Sequence, residues 1–179
     1  MNWIEVNGAS LRYELRGAGP QTVVLIHELG GALESWDEVL VPLEQGYRVL
    51  RYDQRGCGLS EKARGALSID TMVDDLLALL DALGLDRPCH LVGSALGAGI
   101  AIAFAARHPA RVGRMIASCP ATDLTPDRAQ LLEKRAQGVE LDGMRPYAKG
   151  SLDNSWARSL QAANRERFER YRLRWIAND

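Results

Sequence analysis

Apolar and polar positions alternate with a period of two at the start of the chain. Trp3-Ile4-Glu5-Val6 and Leu11-Arg12-Tyr13-Glu14-Leu15 flank Asn7-Gly8, which predicts two strands joined by a tight hairpin turn. Gly17-Ala18-Gly19-Pro20 breaks the pattern. Thr22-Val23-Val24-Leu25-Ile26-His27 follows as a nearly continuous apolar run, as expected of a strand covered on both faces of a parallel sheet. Over residues 33–45 the period becomes helical, with Trp36, Val39, Leu40 and Leu43 on one side. Tyr47 to Asp53 returns to strand. Ser68 is placed to cap a helix over Ile69 to Leu83, whose apolar face is Ile69, Val73, Leu76, Leu77, Leu80 and Leu83. Its polar face, Asp70, Asp74, Asp75 and Asp81, reads as solvated surface. Cys89 to Val92 is a strand, 96–108 a helix of small residues closed by His108-Pro109, and Val112 to Cys119 a further strand. Two opening strands and then repeated strand–helix units predict an α/β fold with a mainly parallel sheet.

After Pro120 the texture changes and no strand pattern returns. Residues 125–138 open on Thr-Pro, a cap followed by proline in the first turn, and continue as a charged helix. Residues 138–154 read as loop, and Arg165 to Ala177 as a basic helix. The expected division is a core over 1–121 and an incomplete helical lid, or cap, over 122–179.

Composition narrows the setting. With 179 residues, 46% hydrophobic and 25% charged, the chain has the makeup of a globular domain. A net charge of -1 argues against a nucleic-acid or membrane-surface role. No apolar run approaches the ~20 residues of a spanning helix, and the N-terminus lacks the basic start and apolar centre of a signal peptide. The expectation is a cytoplasmic protein whose partner is a small molecule. Three scattered cysteines fit neither a disulfide framework nor a zinc site. Cys89 and Cys119 read as small core residues, and Cys57, between two glycines, as a loop thiol open to solvent.

Candidate chemistry sits in three loops. His27-Glu28-Leu29-Gly30-Gly31 follows the buried strand, and Asp53-Gln54-Arg55-Gly56-Cys57-Gly58-Leu59-Ser60 follows the next. Gly93-Ser94-Ala95-Leu96-Gly97 has the Gly-x-nucleophile-x-Gly frame of a nucleophile elbow, a strand that turns sharply into a helix. In this order and spacing the three loops resemble the α/β-hydrolase family, closest to its 3-oxoadipate enol-lactonase-like branch. The likeness is well marked over 1–121 and looser in the tail. It implies an α/β-hydrolase fold, a hydrolase of small esters or lactones, and an oxyanion hole formed by the backbone N–H groups of Leu29 and Leu96. It implies no metal or organic cofactor.

Three departures qualify that reading. Ala95 occupies the nucleophile position and has neither a lone pair to attack with nor a proton to give. Either a serine has been replaced, or this branch never used one. Ser94 points away from the cavity by strand alternation and offers no rescue. Glu28 stands where the family usually has glycine; a carboxylate there opposes an oxyanion but could act as general acid or base. The plainer reading turns it to solvent or pairs it with an arginine such as Arg55. Finally, the family's catalytic acid and histidine follow later strands. His27, His90 and His108 read as structural or exposed, so a remaining C-terminal segment or a second polypeptide is the expected source. In the tail, Phe168, Tyr171 and Trp175 form an aromatic stripe beside Arg167, Arg170 and Arg174. The arginines and Trp175 are candidates to hold a substrate carboxylate; the alternative is an exposed helix balanced by Glu166 and Glu169. Three activities fit these residues: an ester or lactone hydrolase, a lyase or C–C bond-cleaving enzyme using Glu28 or water, and a non-catalytic binding protein.

Overall fold

The computed structural model describes residues 2–62, 65–120, 122 and 125–178, with the side chains of 149 and 153–155 outside the description. It divides into two compact units, Met1–Thr122 and Asp123–Asp179.

The first unit is a six-stranded sheet with helices on both faces. Strands β1 (Asn2–Val6) and β2 (Ala9–Arg16) form the antiparallel hairpin. Its turn, Asn7-Gly8, has positive φ at both residues, the conformation that suits tight hairpins. Then follow β3 (Thr22–Ile26), a 3₁₀ turn (Leu33–Trp36), α1 (Asp37–Glu44) and β4 (Arg48–Tyr52). After these come α2 (Ile69–Ala82), β5 (Cys89–Ser94), α3 (Leu96–Arg107) and β6 (Val112–Ser118). The sheet order is β1-β2-β4-β3-β5-β6. β2 pairs antiparallel with β4, and the remaining pairings are parallel. The mainly parallel α/β sheet is therefore as the sequence pattern leads one to expect.

Strand alternation splits the core between the two faces. Val24, Ile26, Leu50, Tyr52 and Leu91 pack with Val73, Leu76, Leu80, Ile100 and Phe104 from α2 and α3. Val23, Leu25 and Val49 pack with Leu40 of α1, flanked by the partly buried Trp36, Leu43, Tyr47 and Val92. The Ser68 hydroxyl accepts from the Thr71 N–H at 3.1 Å, so the cap on α2 forms as its residue type dictates.

Two readings of this unit need correction. Asp75 is buried rather than solvated, because it receives the Arg55 guanidinium; Asp70, Asp74 and Asp81 pair with Arg107 and Arg111. Cys119 is exposed rather than a core residue, since it follows the last strand of the sheet at φ 49.

The second unit holds α4 (Pro126–Asp142), α5 (Arg145–Ser155), α6 (Arg158–Ala163) and α7 (Arg165–Ile176). Its core is Ala148, Leu152, Phe168 and Trp175, with the Trp156 ring set edge-on to Phe168. Residues 138–154, read as loop, are mostly helical. A Cβ on Gly138 would strike the Tyr147 hydroxyl, so that glycine admits a close approach of α5 to α4. The break falls at Gly143, whose φ of 73 ends α4.

Candidate active site

β3 and β5 lie side by side, with Ile26 opposite Gly93. The chain leaves β3 for β4 on one side, while β5 leads to β6 on the other. Such a switch point opens a crevice beyond the C-terminal ends of the strands. Residues 27–31 and 94–97 emerge there.

Ala95 has φ 50 and ψ −109, a conformation rarely adopted by an L side chain. Backbone contacts hold it. Its N–H donates to the Ser118 carbonyl at 2.9 Å, and its own carbonyl accepts from the N–H groups of Ala98 and Gly99, each at 3.1 Å. A Cβ on Gly97 would run into the Ile26 carbonyl, and one on Gly93 into the Gly97 carbonyl. The two framing glycines thus let strand, helix and neighbouring strand pack without a gap. Ala95 itself remains half-buried.

The backbone N–H of Leu96 opens α3 and has no acceptor among the described residues; the same is true of the Leu29 N–H. Leu96 packs its side chain against the main core, whereas that of Leu29 is exposed. Unpaired amides at a helix start are available to a carbonyl oxygen or an anion.

His27 is wholly buried and fastens the Leu29 loop. The Gln54 N–H donates to His27 Nε2 at 3.1 Å, so Nδ1 carries the proton and donates to the Glu28 carbonyl at 2.8 Å. The ring is neutral, and its burial lowers the pKa despite nearby carboxylates. Gln54 also donates its side-chain amide to the His27 carbonyl at 2.6 Å. His90 stacks edge-on to Tyr47 and His108 lies against Phe104, places consistent with packing.

Asp53 organises the second loop. Its carboxylate accepts from the N–H groups of Leu33 at 2.7 Å and Leu59 at 2.8 Å and from the buried Arg12 guanidinium. Arg12 also reaches Glu34 at 2.7 Å. Burial disfavours its charge, but the hydrogen bonds it donates to Asp53 and Glu34 outweigh this and raise its pKa. Gly58 has no Cβ because one would overlap the Asp53 carboxylate. The Ser60 hydroxyl donates to the Asp53 carbonyl and accepts from the Arg12 N–H. The Asp–Gly–Ser pattern is therefore a fastening between loops. Sequence reading passed over Arg12 and Gln54; the only signal was a charge placed between apolar residues of β2, and its partner depends on register.

Glu28 does not pair with Arg55, which is taken by Asp75. Its carboxylate accepts from the Ser35 hydroxyl at 2.9 Å, and Gly31 leaves it room, since a Cβ there would lie 2.7 Å from it. The Cys57 thiol is half-buried and its pKa is pushed up to about 11, mainly by burial. That disfavours the thiolate a nucleophile needs. Among the described residues no group of three or more His, Cys, Asp or Glu is placed to hold a metal ion. No helix among them is long and apolar enough to cross a membrane.

Arg167, Arg170, Arg174 and Trp175 all lie on α7 of the second unit. Trp175 belongs to that unit's core, with the Arg135 guanidinium over its ring, and the Arg167 guanidinium covers Trp156. Arg167 and Arg170 are exposed and Arg174 is half-buried. Glu169 pairs with Arg172.

Comparison with known proteins bears on the whole. The family model for the alpha/beta hydrolase fold matches residues 21–172. The "Putative carbamate hydrolase RutD" of Stutzerimonas stutzeri is 34% identical over 164 residues, covering 89% of this chain and 62% of the relative. The protein of that name from Caulobacter segnis is 38% identical over 109 residues, 58% of this chain and 40% of its own length. The chain thus spans about half the length of these relatives. Among solved structures, the enol-lactonase from Burkholderia xenovorans LB400 matches with a TM-score of 0.94 at 28% identity, covering 99% of this chain and 68% of that one. A serine-to-alanine mutant of a meta-cleavage product hydrolase from Pseudomonas fluorescens IP01, complexed with acetates, matches with a TM-score of 0.70 at 27% identity, covering 99% and 63%. Sheet order, elbow backbone and family match agree, and the chain belongs to the alpha/beta-hydrolase fold family.

Proposed function

We propose that this chain carries the carbonyl-binding half of a site for small carboxylic esters or lactones, with residue 95 in the nucleophile position. The observation that carries this is the pair of unpaired N–H groups, Leu29 and Leu96, at the ends of adjacent strands beside a strained elbow. In ester cleavage an oxygen nucleophile adds to the carbonyl carbon, and negative charge moves to the carbonyl oxygen. Two amides directed at that oxygen stabilise it, each worth ~100- to 1,000-fold in rate. Ala95 supplies no nucleophile and no proton, so the covalent acyl-enzyme route is closed and a carbonyl ligand is held without turnover. The acetate-bound serine-to-alanine neighbour supports this reading, and the names of the relatives extend the substrate class to carbamates.

Arg167, Arg170 and Arg174 on α7, with Trp175, are proposed to hold a substrate carboxylate. The partner is a small molecule, and the setting is cytoplasmic. A second reading rests on Glu28, whose carboxylate shares a loop with the Leu29 N–H: it would serve as acid or base in a lyase-type or water-mediated reaction.

Titration with acetate, followed by backbone amide NMR, tests the main proposal. The Leu29 and Leu96 resonances are expected to shift together with one apparent Kd; resonances that do not move would end it. In Ala95→Ser, which restores the hydroxyl but brings no general base, p-nitrophenyl acetate is expected to acetylate residue 95 slowly, read by peptide mapping, with no label at that residue in the alanine form. Turnover of an enol lactone by the alanine form, lost in Glu28→Gln, would favour the second reading instead.

A further inference from the structure

Two successive carbonyls of the loop after β3 are tied down by hydrogen bonds. The His27 carbonyl accepts from the Gln54 side-chain amide at 2.6 Å. It also lies against the elbow, where a Cβ on Gly97 would come within 2.6 Å of it. The Glu28 carbonyl accepts from His27 Nδ1–H at 2.8 Å and from the Gly31 N–H at 3.0 Å. In a trans peptide the C=O and the N–H point in opposite directions, so the Leu29 N–H is turned away from His27 and Gly31. Gln54 governs both carbonyls. Its side chain bonds the first directly, and its backbone N–H, 3.1 Å from His27 Nε2, leaves the ring proton on Nδ1 for the second. Gln54 is 2% exposed, yet its Oε1 has no hydrogen-bond partner among the described residues. A buried, unpaired oxygen is destabilising, and an apolar side chain of the same length would avoid it.

We propose that Gln54 is a positioning residue for the carbonyl site, acting through His27 to aim the Leu29 N–H. The proposal rests on the ester-site reading for its chemistry, since Gln54 is buried and acts on the loop. The two amides are held differently. Leu96 opens α3, so the helix fixes its N–H. Leu29 lies between β3 and the 3₁₀ turn, where no strand pairing sets its direction. Two donors stabilise one oxygen only if both are directed at it, and rotation of the 28–29 peptide would withdraw one of them. Gln54 grips His27 by ring and by carbonyl, so neither can turn without breaking a hydrogen bond. Because that carbonyl abuts Gly97, the same grip sets the spacing of the Leu29 loop from the elbow. If Gln54 only filled space, an apolar side chain of equal length would leave the Leu29 N–H where it is.

NMR of the isotope-labelled full chain tests this without ligand. His27 is expected to be neutral with its proton on Nδ1; a proton on Nε2 instead would overturn the proposal. In Gln54→Met the residual dipolar coupling of the Leu29 N–H should change sign or collapse toward zero. Those of Val24 and Leu91, paired in β3 and β5, should stay as they are. An unchanged Leu29 coupling overturns the proposal. Gln54→Glu supplies the rescue and decides alone if Gln54→Met does not fold. Burial favours the neutral carboxyl, whose O–H can replace the amide as donor to the His27 carbonyl. Its Leu29 coupling should match the parent's at about pH 6 and be lost at about pH 9, where a carboxylate cannot donate. The carboxylates of Glu28, Asp53 and Glu34 also act on His27, so the parent chain at each pH is the control. A Gln54→Glu coupling equal to the parent's at both would overturn the proposal. Acetate should bind Gln54→Met about tenfold more weakly, with the Leu96 resonance still responding; equal affinity would also overturn it. If acetate moves neither amide in the parent chain, the ester-site reading fails, and the dipolar couplings still judge Gln54.

Discussion

The φ of 50 at Ala95 stores strain in a residue that gains nothing chemical from it. Backbone of this kind costs ~1–3 kcal/mol, and glycine relieves it at some loss of unfolded-state constraint. Ala95→Gly is expected to stabilise the protein by about 1 kcal/mol in urea denaturation; a destabilised variant would show that the turn is unstrained. Gly97→Ala should act oppositely. Its new methyl meets the Ile26 carbonyl, and a loss of about 3 kcal/mol is expected from such overpacking. His27 adds a pH dependence. Burial lowers its folded pKa below the ordinary imidazole value of about 6.5, so the unfolded chain binds the proton more readily. Its contribution is complete above pH 6.5 and is lost as pH falls below it, with a slope of at most about 1.4 kcal/mol per pH unit. Chemical denaturation from pH 7.5 to 5 should show that slope, and His27→Gln should flatten it.

At the level of elements, the two loops beside the elbow are held by buried polar groups rather than by apolar packing. Asp53 links the 3₁₀ turn at Leu33, the 56–60 loop and β2 through one carboxylate. Removing its charge leaves Arg12, 3% exposed, short of its main partner, and breaking such a buried pair typically costs ~3–5 kcal/mol. Asp53→Asn should therefore lose about 3 kcal/mol in thermal or urea unfolding; a loss under 1 kcal/mol would mean that Glu34 suffices for Arg12. These contacts also explain what could be read in advance. The strands, the elbow frame and the Ser68 cap follow from spacing along the chain, because each is decided within a few residues. Asp75 as the partner of Arg55, or Gln54 against His27, depends on which strands become neighbours, and no local period encodes that. The helices over 138–154 escape the local pattern for a related reason: Gly138 serves a close approach to Tyr147 of the next helix, a contact that no spacing along the chain encodes.

Across the whole molecule, each unit has a buried core of its own among the described residues. Truncating the 9%-exposed Trp175 to alanine should cost the second unit about 3 kcal/mol. Tryptophan-independent far-UV melting should then show an early helical transition, while exchange protection of β3 and β5 is unchanged. A single transition lowered as one would mean that the units unfold together. The strained bend at 95 has a wider consequence. Carbonyls and glycines from three strands impose it, so the scaffold waits in firing position whatever residue sits there. Alanine codons differ from one serine codon family only in their first base. One point mutation would therefore load this position with a hydroxyl, with no rebuilding of the backbone around it.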